Sequence, residues 1–182
     1  MQKVGASIIM VVYLILIVVS IYFCTICIMY PKKYENQIAN VCNEFEISKP
    51  TFYALVNTES SFNSKSKSNM GAIGLTQILP STAQYICVKN NLEYSNFDLY
   101  NPNDNLYLGA MYLRYLFDRF DSTYTALAAY NAGETVVRSW LNDTRYSYDQ
   151  ISLYNIPYKE TNNYINKIKK CEKIYKNFYK IN

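Results

Sequence analysis

Hydrophobic and polar positions divide the chain into one continuous apolar run and a longer series of amphipathic segments. Residues Ala6 to Met29 carry no charged side chain, and a run of about 24 residues can cross a bilayer core of ~30 Å as a tilted helix. The apolar part of a secretory signal peptide is shorter, about 7–15 residues, and a small-x-small cleavage site follows it. Bulky side chains, including Phe23 and Met29, stand near the end of this run instead. We therefore expect residues 1–30 to form a retained transmembrane anchor.

After residue 30, apolar side chains recur at the spacing of one helix face, and strand-like alternation does not persist. Ser48 before Pro50, and Asn101 before Pro102, are typical of helix starts, and Gly133 is typical of a helix end. Polar segments at 63–74 and 142–155 indicate loops. The pattern predicts an all-α domain over residues 31–182, with helices near 34–45, 48–60, 80–89 (starting at either Thr76 or Pro80), 101–120, 122–133, 135–141 and 159–180.

The second of these helices places a carboxylate on its apolar face. Phe52, Leu55, Val56 and Glu59 lie at relative positions 0, 3, 4 and 7, so they share one face of a helix. Burial raises the pKa of a carboxyl group, and the negative end of the helix dipole acts in the same direction. A carboxylic acid kept neutral near physiological pH can serve as a general acid. From this segment alone, Glu59 is either such an acid or a structural residue with an unidentified partner.

Composition removes several classes of site. The 182 residues include no His, which excludes Ser-His-Asp and Cys-His catalysis and any His metal site. Cys24 and Cys27 form a C-x-x-C inside the apolar run without a second pair, so we predict neither a metal nor a cofactor.

The net charge of +4 does not indicate a nucleic-acid partner. A row of lysines on the last helix is either a solvated face or a contact for anionic polymers or the membrane surface.

Four short segments, taken in order, resemble one family. They are Glu59-Ser60-Ser61-Phe62, the glycine-bearing stretch from Met70 to Ala83, Ala128-Ala129-Tyr130-Asn131-Ala132-Gly133, and the stretch from Ile156 to Ile165. Their order and spacing resemble the lytic transglycosylases of the soluble-lysozyme-like (SLT) type, which are relatives of goose-type lysozyme. The resemblance covers about Ile38 to Ile174. It departs from the family at Thr76 and Leu79, where the family often has Met.

The resemblance implies a lysozyme-like helical fold and a set of site residues. Glu59 matches the catalytic glutamate, and the segment from Met70 to Ala83 would form part of the cleft. Each of the other residues also has a structural interpretation: the glycines as turn residues, Tyr130 as core, Gln77 as a helix cap. The substrate-binding residues implied by the resemblance are Ser60, Ser68, Gly74, Gln77, Tyr130, Asn131 and Glu160.

The activity implied is that of a peptidoglycan lytic transglycosylase, with Glu59 acting first as acid and then as base and no cofactor required. One alternative is a goose-type-like muramidase that uses water, for which Asp98, Asp104 or Glu160 would supply a second carboxylate. The other is a non-catalytic, membrane-tethered protein that binds the cell wall. The presence of Glu59, Gln77 and the pair Tyr130-Asn131 favours an enzyme over a protein that only binds the wall.

The expected location is the bacterial cell membrane, crossed once, with the catalytic domain facing the wall. Lys3 flanks one end of the apolar run and Lys32 and Lys33 flank the other, so the positive-inside rule gives no clear orientation. The orientation follows instead from the substrate, the glycan strands of peptidoglycan. Wall turnover, sporulation, and a gap for a trans-envelope secretion or conjugation apparatus all remain open as settings.

Overall fold

The computed structural model describes residues 2–181, with side chains from residue 9 onward. Its first compact unit ends at Lys32 and contains helix α1, Gln2–Met29. The 21-residue segment Ile9–Met29 is long and apolar enough to cross a membrane, although a signal sequence can meet the same criterion. The second compact unit begins at Lys33. The use of the two parts as anchor and catalytic domain stays a prediction.

The second unit is helical, as the sequence predicts. Among the described residues, the β-type pairs are two isolated bridges in the 61–79 loop, Lys67–Ile73 and Ile73–Ile78. A short 3-10 helix at Tyr94–Asn96 has no counterpart among the predicted elements. The α-helices are α2 Glu35–Glu44, α3 Lys49–Ser60, α4 Pro80–Lys89, α5 Pro102–Phe117, α6 Thr123–Ala132, α7 Glu134–Leu141 and α8 Lys159–Asn177.

Local signals set most of the helix starts. The Asn101 side chain accepts from the Asn103 N–H at 2.9 Å, and the Ser122 hydroxyl accepts from the Thr125 N–H at 3.4 Å. Both bonds satisfy N–H groups that a first helical turn leaves without partners. Ser48 occupies the predicted cap position of α3 but makes no capping bond with its side chain. Proline in the first turn instead fixes the entry to α3, α4 and α5.

Helix α3 is the centre of the core and packs along α8. Its side chains Phe52, Leu55 and Val56 are fully buried, and each large apolar side chain removed from water contributes roughly 1.5–3 kcal/mol. A second apolar cluster between α4 and α5 includes Ile78, Ile86, Leu99 and Leu108. The loop between α3 and α4 therefore has a firm anchor at its far end, at Ile78.

Candidate active site

The backbone turns sharply directly after Glu59 and Ser60. Ser61 and Phe62 have φ angles of 51° and 63°, a left-handed conformation that is costly for a bulky residue unless the surroundings hold it. The Ser61 N–H donates to the Asn57 carbonyl at 3.1 Å. The Phe62 side chain is buried, with its ring 6.0 Å from that of Tyr53. Burial of one ring thus fixes where α3 ends and leaves Glu59 in its last turn.

Glu59 is a partly buried residue with a close partner on α8. The Tyr164 hydroxyl donates to Glu59 Oε1 at 2.7 Å. Burial raises the pKa of Glu59 from its ordinary 4.5 to about 7, and the nearby Glu160 carboxylate acts in the same direction. The Tyr164 hydrogen bond and the Lys167 ammonium oppose this rise. Near neutral pH the group can therefore both give and take a proton.

Two tyrosine hydroxyls stand close to this carboxyl. Burial, together with the charge of Glu59, holds the pKa of Tyr130 and of Tyr164 well above the ordinary value of 10. Both hydroxyls therefore stay protonated and act as donors. Tyr130 donates to the Thr76 carbonyl at 2.9 Å, which joins the end of α6 to the glycine-bearing loop.

Ser60 ties this loop to the helix of Glu59. Its hydroxyl lies 2.7 Å from the Leu75 carbonyl and 3.3 Å from the Val56 carbonyl of its own helix. The shorter bond to Leu75 spans 15 positions of the sequence. Ser60 was predicted to bind substrate; the contact it makes in the structure holds the carboxyl and the loop in register.

The outer part of the loop is a tight turn built on Ser68. The Ser68 N–H donates to the Ala72 carbonyl at 2.9 Å, and the Ser68 hydroxyl accepts from the Ala72 N–H at 3.0 Å. Gly71 has a φ of 84° and nothing within 4 Å of the position of an added Cβ. Its backbone is therefore open to a ligand that approaches the turn.

Gln77 closes the inner part of the loop with its amide nitrogen. Nε2 donates to the Gly74 carbonyl at 2.9 Å and to the Ser66 carbonyl at 3.2 Å. Because both partners are acceptors, the amide orientation is fixed and Oε1 is the atom left to accept from a substrate. Sequence reasoning gave Gln77 a substrate role, and the structure adds a structural one.

A buried asparagine anchors the loop from below. Asn105 Oδ1 accepts from the Thr76 N–H and the Thr76 hydroxyl, both at 2.8 Å. Its Nδ2 donates to the carbonyls of Ile73 at 2.9 Å and Leu99 at 2.8 Å. All four bonding positions of this side chain are thus used inside the protein.

Two glycines let the loop approach this network. An added Cβ at Gly74 would lie 2.1 Å from Asn105 Nδ2, and one at Gly109 would lie 2.5 Å from the Thr76 side chain. Gly74 was predicted to bind substrate; the close approach that it allows in the structure is to Asn105. Thr76, which replaces the family's frequent Met, is fully buried and hydrogen-bonded here.

The remaining predicted residues, Asn131 and Glu160, lie on α6 and α8. Asn131 Oδ1 accepts from the Thr161 hydroxyl at 2.8 Å, which joins the two helices. Glu160, beside Thr161, is exposed, and its charge reaches Glu59. Ser60 and Tyr130 both bond to the loop that contains Gly74 and Gln77, and the charge of Glu59 reaches Tyr130. The substrate-binding roles of all seven residues stay predictions.

Three neighbours of the site were missed. Tyr164 and Lys167 lie within the predicted last helix, 159–180, and the sequence predicts no role in the site for either. Lys167 Nζ donates to the Thr58 carbonyl at 2.9 Å. The signal available for Tyr164 is a hydroxyl group among the apolar side chains of its helix, whereas Asn105 carries no signal in the sequence.

Comparison with known proteins places this arrangement in a family. A family model described as "Transglycosylase SLT domain" matches residues 37–153. The soluble lytic murein transglycosylase of Salmonella typhimurium is 31% identical over 153 residues, 82% of this chain and 24% of that protein. The membrane-bound lytic murein transglycosylase C of Glaesserella parasuis is 29% identical over 80% of this chain and 46% of that protein.

The fold agrees with solved structures. The lytic transglycosylase Slt of Pseudomonas aeruginosa superimposes with a TM-score of 0.73 at 28% identity, covering 86% of this chain and 26% of that one. The lysozyme-like helical fold that the resemblance implies is confirmed. This chain spans about a quarter of the length of the soluble relatives it matches. On the family match over most of the second unit, the chain belongs to the Transglycosylase SLT domain family.

Proposed function

We propose that this chain is a peptidoglycan lytic transglycosylase that cleaves the β-1,4 bond between N-acetylmuramic acid and N-acetylglucosamine. The observation that carries the proposal is the setting of Glu59: a partly buried residue at the end of a buried helix, whose carboxyl accepts from the Tyr164 hydroxyl at 2.7 Å. The activity of the related murein transglycosylases supports the choice of substrate.

In the first step, protonated Glu59 donates its proton to the glycosidic oxygen. The bond from that oxygen to the muramic C1 breaks, and its electron pair leaves with N-acetylglucosamine as a hydroxyl group. The positive charge that develops at C1 is stabilised by the N-acetyl group of the substrate itself. Because burial keeps the pKa of Glu59 at about 7, much of the enzyme carries this proton at neutral pH.

In the second step, ionised Glu59 takes the proton of the muramic 6-hydroxyl. The 6-oxygen then bonds to C1 and closes a 1,6-anhydro ring, which returns Glu59 to its protonated form. The Tyr164 hydrogen bond stabilises the carboxylate between the two steps. One residue thus serves as acid and then as base.

The muramidase alternative needs a second carboxylate positioned for water. The Asp98 and Asp104 carboxylates are engaged in the turn before α5: Asp104 Oδ2 accepts from the Asp98 N–H and Asp98 Oδ1 accepts from the Tyr100 N–H, both at 2.9 Å. Glu160 is the carboxylate whose charge raises the pKa of Glu59, and it is exposed. This arrangement favours the one-carboxylate route. A protein that only binds the wall would have no use for a carboxyl with a pKa near 7.

We further propose that α1 anchors the domain on the outer face of the cell membrane, next to its substrate. The apolar segment Ile9–Met29 and the likeness to a membrane-bound transglycosylase support this location. Service to a trans-envelope secretion or conjugation apparatus is a hypothesis from the sequence alone. Attachment of the full chain to membranes after carbonate extraction, and digestion of the domain by protease added outside spheroplasts, test the anchor and its orientation.

Product analysis tests the activity. The full chain in detergent micelles is incubated with purified peptidoglycan, and the released sugars are identified by mass spectrometry. Anhydro-ended muropeptides are expected; reducing ends would indicate hydrolysis and favour the muramidase. Glu59→Gln should release neither product. Glu172→Gln is a matched control, because Glu172 also accepts from a tyrosine, Tyr124, at 2.7 Å, and it should retain activity.

A further inference from the structure

A cavity of about 210 Å³ lies between α4, α5 and the start of α7. Three tyrosines form its walls, with two hydroxyl residues and one carboxylate, and none of these has a role in the proposed reaction. The lining residues are Ser81, Thr82, Tyr85, Tyr112, Tyr115 and Glu134.

A row of aromatic rings connects this cavity to the candidate active site. The Tyr130 ring, whose hydroxyl is fixed on Thr76, lies 5.2 Å from the Tyr112 ring. Tyr112 stacks on Tyr115 at 6.1 Å, and Tyr85 meets Tyr115 edge to face at 5.8 Å. Tyr85 is 44% exposed, so the row runs from Tyr130 to the protein surface.

The hydroxyl groups of this wall have a fixed direction. The guanidinium groups of Arg119 and Arg138 hold Glu134 Oε1, and Tyr115 donates to Oε2 at 3.0 Å. An ionised carboxylate only accepts, and these cations lower the pKa of Glu134 against the opposing effect of burial. The Tyr115 hydroxyl therefore donates its one proton to Glu134. The Tyr85 and Tyr115 hydroxyls are 3.0 Å apart, and Tyr85 must be the donor in that contact.

The Tyr85 oxygen is consequently left to accept from a ligand. The Lys89 ammonium lies 5.4 Å above the Tyr85 ring and 5.7 Å above the Tyr115 ring, which holds the rings from the solvent side. A wall held by salt bridges and ring contacts loses little freedom when a ligand binds.

We propose that this cavity binds a sugar ring of the glycan strand, at a subsite away from the bond that is cleaved. A pyranose presents flat C–H faces that suit the tyrosine rings, and hydroxyl groups that suit Ser81, Thr82 and the acceptor on Tyr85. The ring row places the cavity on a path continuous with Tyr130. The subsite rests on the proposed function for its substrate, but sugar binding is measurable without catalysis.

Calorimetric titration with the hexamer of N-acetylglucosamine tests the subsite on the full-length Glu59→Gln chain in micelles. Adding Tyr85→Ala to this chain should raise the Kd for the hexamer about fivefold. Loss of one hydrogen bond of ordinary strength changes a Kd by about this factor. Tyr85→Phe keeps the ring and should lie between the two. Tyr100→Ala is the matched control, since Tyr100 is also 44% exposed but is not part of the cavity wall.

The outcomes separate the subsite from the activity. If wild type releases no sugars from peptidoglycan but Tyr85→Ala still weakens hexamer binding, the proposed function fails and the subsite stands. If wild type is active and Tyr85→Ala binds the hexamer as tightly as its parent, the subsite alone fails. Equal losses in Tyr85→Ala and Tyr100→Ala, or no hexamer binding by the Glu59→Gln chain, also overturn the subsite.

Discussion

Tyr164 donates its hydroxyl to Glu59 at 2.7 Å, across 105 positions of the sequence. The two residues lie on α8 and α3, the pair of helices that forms the centre of the core. The bond is strongest when Glu59 is ionised, so it lowers the pKa that burial raises. The packing of these two helices therefore sets the proton affinity of the proposed catalytic acid.

Replacing Tyr164 by Phe should move the pH profile upward. Activity requires protonated Glu59, so it falls as pH rises through the pKa of about 7. Without the hydrogen bond to its ionised form, that pKa rises by about one unit. The alkaline limb of kcat/KM should shift up by the same amount, and kcat should fall about tenfold because the carboxylate formed between the steps is less stable.

Tyr124→Phe is the control for this variant. Its hydroxyl also donates to a glutamate of α8, Glu172, at 2.7 Å, but that pair lies apart from Glu59. We expect an unchanged pH profile. A shift in both variants, or in neither, would contradict the assignment of Tyr164 as the partner that tunes Glu59.

Two charges near Glu59 should act with opposite signs. The Lys167 ammonium lowers the pKa of Glu59 and the Glu160 carboxylate raises it. Lys167→Gln should therefore move the alkaline limb of activity to higher pH, and Glu160→Gln should move it to lower pH, each by about half a unit or less because both side chains are exposed. Both shifts should shrink in 1 M salt.

The control for the charge pair is Lys170→Gln, an exposed lysine of the same helix. It should leave the profile in place. If Glu160→Gln instead abolished activity at every pH, Glu160 would be a catalytic residue and the muramidase route would be favoured.

Local sequence determined the helices well and the site only in part. Apolar periodicity with Pro50, Asn101 and Gly133 predicted the bounds of α3, α5 and α6 to within a few residues, because these signals act within one or two turns. The left-handed turn at Ser61 and Phe62 carried no such signal, since glycine normally marks that conformation. It depends on burial of the Phe62 ring, a tertiary contact.

The sequence pattern also does not predict which side chains of distant helices bond to each other. Glu59 is identified as a candidate from its own helix, but its partner Tyr164 is not. Their bond depends on how α3 and α8 pack, which no local pattern specifies. Gly74 shows the same limit, because its reason for being glycine is Asn105, which lies 31 positions later.

Glu59 should make stability fall with pH. Its folded pKa of about 7 is raised above the ordinary 4.5, so below pH 4.5 both states hold the proton. As pH rises from 4.5 to 7, the unfolded chain releases the proton and the folded chain keeps it, which costs up to about 3 kcal/mol of stability. Glu59→Gln removes this cost, so its advantage over wild type should grow between pH 4 and pH 8.

Urea unfolding of the full chain in micelles measures this effect. Trp140 is the single tryptophan of the chain and is buried, so its fluorescence reports loss of the fold. Glu172→Gln should show no comparable gain between the two pH values. A constant difference between Glu59→Gln and wild type would mean that the pKa of Glu59 is not raised in the folded state.

Asn105→Ala should destabilise the fold far more than its single side chain suggests. The change leaves the Thr76 N–H and the Ile73 and Leu99 carbonyls without their partner in a buried site. The Thr76 hydroxyl keeps only its longer bond, at 3.3 Å, to the backbone carbonyl of residue 105. Unsatisfied buried groups cost about 1–3 kcal/mol each, with partial relief from water, so a total loss of about 4 kcal/mol is expected. Such a loss lowers Tm by about 10 °C in a chain of this size.

Asparagine substitution at an exposed site gives the comparison for Asn105. Asn63 accepts one bond, from the Lys65 N–H at 3.0 Å, and Asn63→Ala should change stability by about 0.5 kcal/mol.

Asn105→Asp separates shape from bonding, because it keeps the acceptor for Thr76 but loses both donors to the carbonyls. If the loop is held as described, Asn105→Asp should be destabilised nearly as much as Asn105→Ala, since it adds a buried charge in place of the donors. Near-wild-type stability of either variant would show that the loop carrying Gln77 is held by other contacts, and that Tyr130 is positioned without this network.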